Sequence, residues 1–191
     1  MAKQYERMDE SALVKECLQH NAKAQKVFYE RFSPRMLGVC YRYARNLADA
    51  EDILQEGFIK VFSHLEQYRQ DGPLEGWMRR IMVNTALNYL KKNKLFQSHT
   101  ELDQAIQLSS PLHSDQHMVK KDVVEVIRSL PFGYRTIVNL YAIEGYSHKE
   151  IGEILGIAES TSRSQYARAK SILMTILNGR EADIVNNNRV E

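Results

Sequence analysis

The sequence predicts an all-α protein of two small helical domains joined by a flexible linker, the C-terminal domain being a helix-turn-helix. Three observations predict it. Apolar residues recur at three- and four-residue spacing from Leu13 to Leu90 and again from Val119 to Leu173. Between these stretches, Leu95 to His117 turns polar, with Ser109-Ser110-Pro111 at its centre. Finally, Tyr146 to Lys170 carries the local marks of two short helices meeting at a tight turn.

Length and composition set the frame. The 191 residues suit one ordinary domain or two small ones, and 43 % hydrophobic residues suffice for a core. A formal net charge of +2 points to no partner by itself. Its distribution is more telling: Asn46 to Ile59 holds Asp49, Glu51, Asp52 and Glu56 without a base, and Gly76 to Thr100 holds Arg79, Arg80, Lys91, Lys92 and Lys94 without an acid. Neither a signal peptide nor a membrane-spanning run is expected, so the reading is cytoplasmic and without direct membrane binding. Cys17 and Cys40 fall within apolar helical patterns and read as small core residues in a reducing compartment.

Taken in order, Ser11 to His20 has Leu13, Val14, Cys17 and Leu18 on one face, and Ala22 to Phe32 continues with Ala24, Val27, Phe28 and Phe32. Ser33-Pro34 is expected to interrupt, since proline disfavours helix at the preceding residue. Helix resumes over Arg35 to Arg45. Leu47 to Leu65 follows, with Asp49 as expected N-cap and a stripe of Ile53, Leu54, Phe58, Val61, Phe62 and Leu65. Gln55, Glu56 and Ile59 lie partly outside that stripe. The acidic surface beside Ile59 could be a docking face, although composition alone favours a simple solvated face.

His64 to Gly76 reads as a loop built on Asp71-Gly72-Pro73, exposing Tyr68. Trp77 to Lys94 returns to helix, Trp77, Ile81, Met82 and Thr85 packing while Arg79, Arg80, Asn84, Asn88, Lys91 and Lys92 form a polar, basic surface. Cations beside aromatic faces suit single-stranded nucleic acid, with core packing of Trp77 and Tyr89 as the plain alternative. In the linker, His113-x-x-x-His117 has helical metal-ligand spacing, but it is not H-E-x-x-H and no third ligand is apparent, so no metal or cofactor site is read.

Met118 to Leu130 is expected to be helical up to Pro131, and Tyr134 to Glu144 up to Gly145. Ser147 and Glu150 then form an S-x-x-E capping box, Ile151, Ile154 and Leu155 share a face, and Gly156 stops the helix. Ser160 is the expected N-cap of the last helix, which runs to Leu177 with Gly179 as terminator and 181–191 as a frayed tail. On that helix Ser162, Tyr166, Ala169 and Leu173 face inward. Ser164, Arg168 and Ser171 face outward, with Arg163 and Gln165 on the flanks. Arg can read guanine, Gln adenine, and Ser or Thr phosphates or bases, and no acid follows until Glu181. A basic αα-hairpin is the bland alternative.

Over about residues 9 to 178 the ordered set of motifs resembles the bacterial RNA polymerase sigma factors of the extracytoplasmic-function type, in the sigma-70 family. DAEDILQEGFIKVF (49–62) resembles the helix that binds core polymerase. WMRRIMVNTALNYLKK (77–92) resembles the helix that meets the minus-10 element, and 130–170 resembles the minus-35-binding domain. The resemblance implies a region 2-like domain at 9–94, a linker at 95–117, a region 4-like domain at 118–178 and a tail at 179–191. It implies polymerase contact by Asp49, Asp52, Gln55, Glu56, Phe58 and Ile59. It implies minus-10 contact by Tyr68, Trp77, Arg79, Arg80, Asn84, Asn88, Lys91 and Lys92, and minus-35 contact by Ser160, Thr161, Arg163, Ser164, Gln165, Arg168 and Lys170.

The implied partners are the β′ clamp and β flap of core polymerase, promoter DNA both duplex and melted, and a membrane-linked anti-sigma factor. The chain departs from the family at Ser162, often a β-branched apolar residue, and at Gln165, often arginine. A helix-turn-helix regulator acting without polymerase would explain the C-terminal half but neither of the two upstream helices. An enzyme is disfavoured, because there is no phosphate-binding glycine loop, nucleophile elbow or dense ligand cluster.

Overall fold

The structure is a computed structural model that describes Tyr5, residues 7–92 and residues 123–187, with side-chain environments as far as Asn178. The described residues are helical, turn or irregular, with no strand among them. The chain divides into two compact units, Met1–Tyr89 and Leu90–Glu191. The linker at 95–117, with His113 and His117, lies outside the described residues, as does 118–122 of the helix expected to follow it.

In the N-terminal unit, α1 (Glu10–Leu18), α2 (Ala22–Tyr43), α3 (Leu47–Ser63) and α4 (Leu74–Lys92) enclose one core. Asp9 and Asn21 cap α1 and α2 by accepting hydrogen bonds from backbone N–H groups. Pro34 does not interrupt: α2 runs through it. Pro34 itself is exposed, and the stripe of Val27, Phe28, Phe32, Met36, Val39, Cys40 and Tyr43 is buried on both sides of it. Packing of a continuous apolar face therefore outweighs the one backbone bond that proline removes. The Phe28 ring packs at a tilt against Phe32 of its own helix at 4.8 Å and against Phe62 at 5.5 Å, the second contact fastening α2 to α3.

Two boundaries move from their expected places. Asn46 caps α3, accepting from the Asp49 N–H at 2.8 Å, so Asp49 lies inside the first turn. The expected loop at 64–76 contains a 3₁₀ turn (Leu65–Gln67), and α4 already begins at Leu74, placing Gly76 within it. Three contacts explain the early start. Leu74 is fully buried, its N–H donates to Glu10, and Glu75 pairs with Arg35 at 2.7 Å. Both cysteines are free and buried, and burial pushes their thiols up to about 11 for Cys17 and about 12 for Cys40, leaving them inert.

The C-terminal unit contains α5 (Val123–Arg128), α6 (Phe132–Val138), a π-helical turn (Asn139–Ile143), α7 (His148–Leu155) and α8 (Glu159–Asn187). Leu130, Tyr134, Val138 and Ala169 form its core, with Ile127, Tyr166, Ile172 and Leu173 packed against them. Helix α6 begins at Phe132, two residues earlier than expected, and widens into the π turn, where Glu144 N–H reaches the Asn139 carbonyl at 3.0 Å. The capping box is present: Ser147 accepts from Glu150 N–H while Glu150 accepts from Ser147 N–H. Gly156 closes α7 at φ 71°, a left-handed conformation that suits glycine. Helix α8 starts at Glu159, so Ser160 is in its first turn rather than at its cap. It also passes Gly179, since an internal glycine costs only about 1 kcal/mol relative to alanine.

Candidate polymerase and nucleic-acid interfaces

The outer face of α3 is acidic. Asp52, Gln55, Glu56 and Ile59 recur at helical spacing and all are exposed, Ile59 to 67 %. Ile59 thus stands as an exposed apolar residue at the end of this acidic stripe. Asp49 and Phe58 were expected on this surface and belong elsewhere. Phe58 is buried, its ring 4.6 Å from Tyr29. Asp49 is buried too: Arg45 Nε donates to its Oδ2 and Tyr89 Oη to its Oδ1, each at 2.9 Å. Burial pushes the Asp49 carboxyl up, but the bonds from Arg45 and Tyr89 and the Arg45 charge outweigh it and hold the group below the ordinary carboxylate range.

Between α3 and α4 lies an open cavity of about 280 Å³, lined by Lys60, His64, Gln67, Trp77, Ile81, Asn84, Thr85 and Asn88. Trp77, Asn84 and Asn88 were legible in the sequence as nucleic-acid candidates. Lys60, His64 and Gln67 were not. They come from the end of the acidic helix and the turn after it, and only the fold brings them opposite α4. A lysine four residues after Glu56 on an amphipathic helix was the available signal. Lys60 Nζ donates to Glu56 Oε1 at 2.6 Å and to the buried Thr85 hydroxyl at 3.3 Å, which aims the ammonium along the cavity wall.

Tyr68 is half-buried beside the cavity. Its hydroxyl donates to the Gly72 carbonyl at 2.6 Å and its ring lies 5.5 Å from Trp77. Arg80, Asn84, Asn88, Lys91 and Lys92 are exposed along α4, and Arg79 is half-buried. Cations, amides and two aromatic faces around one opening can hold phosphates at the rim and an unstacked base within.

In the helix-turn-helix, Ser160, Arg163, Ser164, Arg168 and Lys170 are exposed on α8 and Thr161 is half-buried. Arg163 donates from Nε and Nη2 to Glu159, and Ser164 donates to the Thr161 carbonyl at 3.0 Å. Gln165 is placed differently from expectation: it is 6 % exposed, and among the described residues its Oε1 has no hydrogen-bond partner. At 3.6 residues per turn it lies about 60° from Ser162 and about 40° from Ala169, within an inward face broad enough to meet other helices. Ser162 is inward as expected. Its hydroxyl lies 2.9 Å from His148 Nδ1, a polar fastener between α7 and α8. His148 stacks on Tyr141 at 4.2 Å, with Tyr166 5.7 Å away. Burial, reinforced by Arg163 and opposed by Glu159, holds the His148 imidazole below its usual pKa.

Among the described residues, no three His, Cys, Asp or Glu side chains converge as a metal site, and no helix is long and apolar enough to cross a membrane. Two family models match the chain, sigma-70 region 2 over residues 28–96 and sigma-70 region 4 over residues 120–173. The ECF RNA polymerase sigma-E factor of Haemophilus influenzae is 29% identical over 181 residues, covering 88% of this chain and 95% of the relative. RNA polymerase sigma factor SigV of Bacillus subtilis is 31% identical over 135 residues, covering 71% of this chain and 80% of the relative. A solved structure of CnrH in complex with the cytosolic domain of CnrY is similar at 21% identity, with a TM-score of 0.46, over 88% of this chain and 96% of that one. The chain therefore belongs to the sigma-70 family, as an RNA polymerase sigma factor of the extracytoplasmic-function type.

Proposed function

We propose that the two units divide promoter recognition between them. The acidic face of α3, with Asp52, Gln55, Glu56 and Ile59, docks on the β′ clamp of core polymerase. The cavity between α3 and α4 receives an unstacked base of the minus-10 strand, with Asn84, Asn88 and Lys60 as polar partners, Trp77 as aromatic wall and Tyr68 against Trp77 beside it. Arg79, Arg80, Lys91 and Lys92 follow phosphates. Helix α8 presents Arg163, Ser164 and Arg168 to the duplex minus-35 element, with Ser160, Thr161 and Lys170 at its edges. The β flap contacts the C-terminal unit.

The observation that carries this reading is the cavity, which places lysine, amides and indole together a short distance from the exposed acidic stripe. Unstacking a base costs a few kcal/mol, which contacts in such a pocket offset. The residues at 95–117 connect the two readers, so that two modest affinities combine through effective concentration. The chain supplies no catalytic group, as nucleotide addition belongs to polymerase. It works in the cytoplasm, and a membrane-linked anti-sigma factor that covers these surfaces regulates it.

The test is a pair of variants assayed as holoenzyme. Gln55→Ala with Glu56→Ala should lower affinity for core polymerase without altering DNA preference. Asn84→Ala with Asn88→Ala should leave polymerase binding intact and weaken binding to melted minus-10 DNA. Unchanged polymerase affinity in the first pair would exclude α3 as the docking helix.

A further inference from the structure

The start of α8 holds an ion pair in solvent. Arg163 donates from both Nε and Nη2 to one oxygen of Glu159, Oε1, one helical turn back. The two side chains are 64% and 43% exposed. A planar guanidinium offers two paired donor edges, Nε with Nη2 along its side and Nη1 with Nη2 at its end. Glu159 takes the side edge. The end edge is left over, and Nη1 has no hydrogen-bond partner among the described residues.

An exposed pair of this kind adds little to stability, so fastening the helix does not account for it. Its place suggests another use. The first residues of a recognition helix are the ones that reach base edges, and Arg163 is the fifth residue of α8. Glu159 is the last acid before Glu181, so the acid-free stretch of the helix begins directly behind it. A guanidinium neutralised by its neighbour is a poor ligand for phosphate, whose attraction depends on net charge. The end edge instead matches two acceptors lying side by side. In the major groove guanine offers these as O6 and N7. Adenine sets an amine beside N7, cytosine presents an amine, and thymine one oxygen beside a methyl group.

We propose that Glu159 is a positioning residue for Arg163: it holds the guanidinium by the side edge, presents the end edge to one guanine of the minus-35 element, and keeps Arg163 from acting as a general phosphate contact. The inference rests on the reading of α8 as the minus-35 helix. It adds an acid to that surface and a chemical rule for one base. Holding the guanidinium before DNA arrives removes part of the cost of ordering a long side chain.

The experiment uses holoenzyme reconstituted with the full chain and duplex DNA from a promoter that this holoenzyme transcribes. Each minus-35 base pair is varied in turn through all four forms, and binding is measured over a range of salt. One position should prefer guanine by about tenfold to hundredfold, and 7-deazaguanine, which lacks the N7 acceptor, should lose most of that advantage. Arg163→Ala should abolish the preference at that position alone. Glu159→Ala should reduce the same preference by about twofold to tenfold, the effect of freeing one long side chain. It should also tighten binding to random DNA and steepen the log–log salt dependence by about one unit, because Arg163 then meets phosphate as a free cation. Glu159→Gln, which still accepts a hydrogen bond but has no charge, should restore base preference without restoring the salt slope. In the Arg163→Ala background, Glu159→Ala should change base preference no further. An unchanged guanine preference in Glu159→Ala, or an equal loss for all four bases in Arg163→Ala, would overturn the inference. If Arg168→Ala still weakens the cognate promoter in that case, the reading of α8 stands and only the role of the Glu159–Arg163 pair falls.

Discussion

Tyr89 donates a hydrogen bond to Asp49 across 2.9 Å, tying the end of the basic helix α4 to the first turn of the acidic helix α3. The same carboxylate takes a second bond from Arg45, so one buried anion fixes the register between the proposed docking helix and the proposed DNA helix. Tyr89→Phe should destabilise the N-terminal unit by about 1.5–3 kcal/mol, the usual worth of a hydrogen bond to a charged group. Asp49→Asn should cost at least as much, and the double variant less than the sum, because the bond is shared. Trp77 is the chain's single tryptophan, so its fluorescence during urea unfolding follows this unit alone.

The same carboxylate predicts an acid response. Its folded pKa is lowered, so its stabilisation is complete above the unfolded value of about 3.9 and is lost as pH falls through the lower folded value. Asp49→Asn should flatten that part of the acid-unfolding curve. An unchanged curve would mean that Asp49 is as solvated in the fold as in the unfolded chain.

His148 gives the C-terminal unit a response nearer neutrality. Its pKa in the fold lies below the unfolded value of about 6.5, so the unfolded chain binds the extra proton. Stability is complete above about pH 6.5 and declines as pH falls from there to the folded value. Amide exchange in α7 and α8 should quicken between pH 7 and pH 5 beyond the intrinsic pH effect. His148→Gln, which keeps a polar group opposite Ser162, should remove the trend.

Gly152 permits the tight turn between α7 and α8. A Cβ there would lie 2.8 Å from the Ile157 carbonyl oxygen, and a backbone atom in a turn cannot step aside cheaply. Gly152→Ala should lower the melting temperature of the C-terminal unit by the equivalent of about 1–3 kcal/mol. It should reduce minus-35 dependence of transcription while Trp77 fluorescence stays as in the wild type.

Arg168 and Gln165 separate an outward reader from an inward packer. Arg168→Ala should weaken a cognate promoter by about 1–3 kcal/mol for each lost base contact, and weaken random DNA less. Gln165→Met replaces a buried amide whose Oε1 has no partner among the described residues with an apolar group of similar length. It should leave base preference unchanged and stability equal or higher. A changed minus-35 preference in Gln165→Met would return Gln165 to the DNA surface.

Much of this was legible in the residues because local signals agreed. The Ser147–Glu150 box, the stop at Gly156 and the stripes of α2 and α3 all act within a few residues of chain. The misreadings arose where distant packing decided. Pro34 is carried through by a core stripe, Leu74 becomes helical because Glu10 and a buried site hold it, and Gln165 is covered by the breadth of the inward face. The acidic stripe and the α4 amides were visible as candidates. The cavity was not, because Lys60 and His64 meet Asn84 and Asn88 only after α3 and α4 are packed. Asp49 looked like part of the docking surface because an acid in the first helical turn suits the dipole whether it is exposed or buried.

The most direct test of the account is run-off transcription from a genomic fragment library by purified core polymerase with and without this chain. The account predicts promoter-specific transcripts only when the chain is present. It also predicts their loss on Asn84→Ala with Asn88→Ala, and their disappearance from minus-35-dependent promoters on Arg168→Ala. If the chain binds duplex DNA but core polymerase starts no new transcript with it, the division of labour between the two units is contradicted.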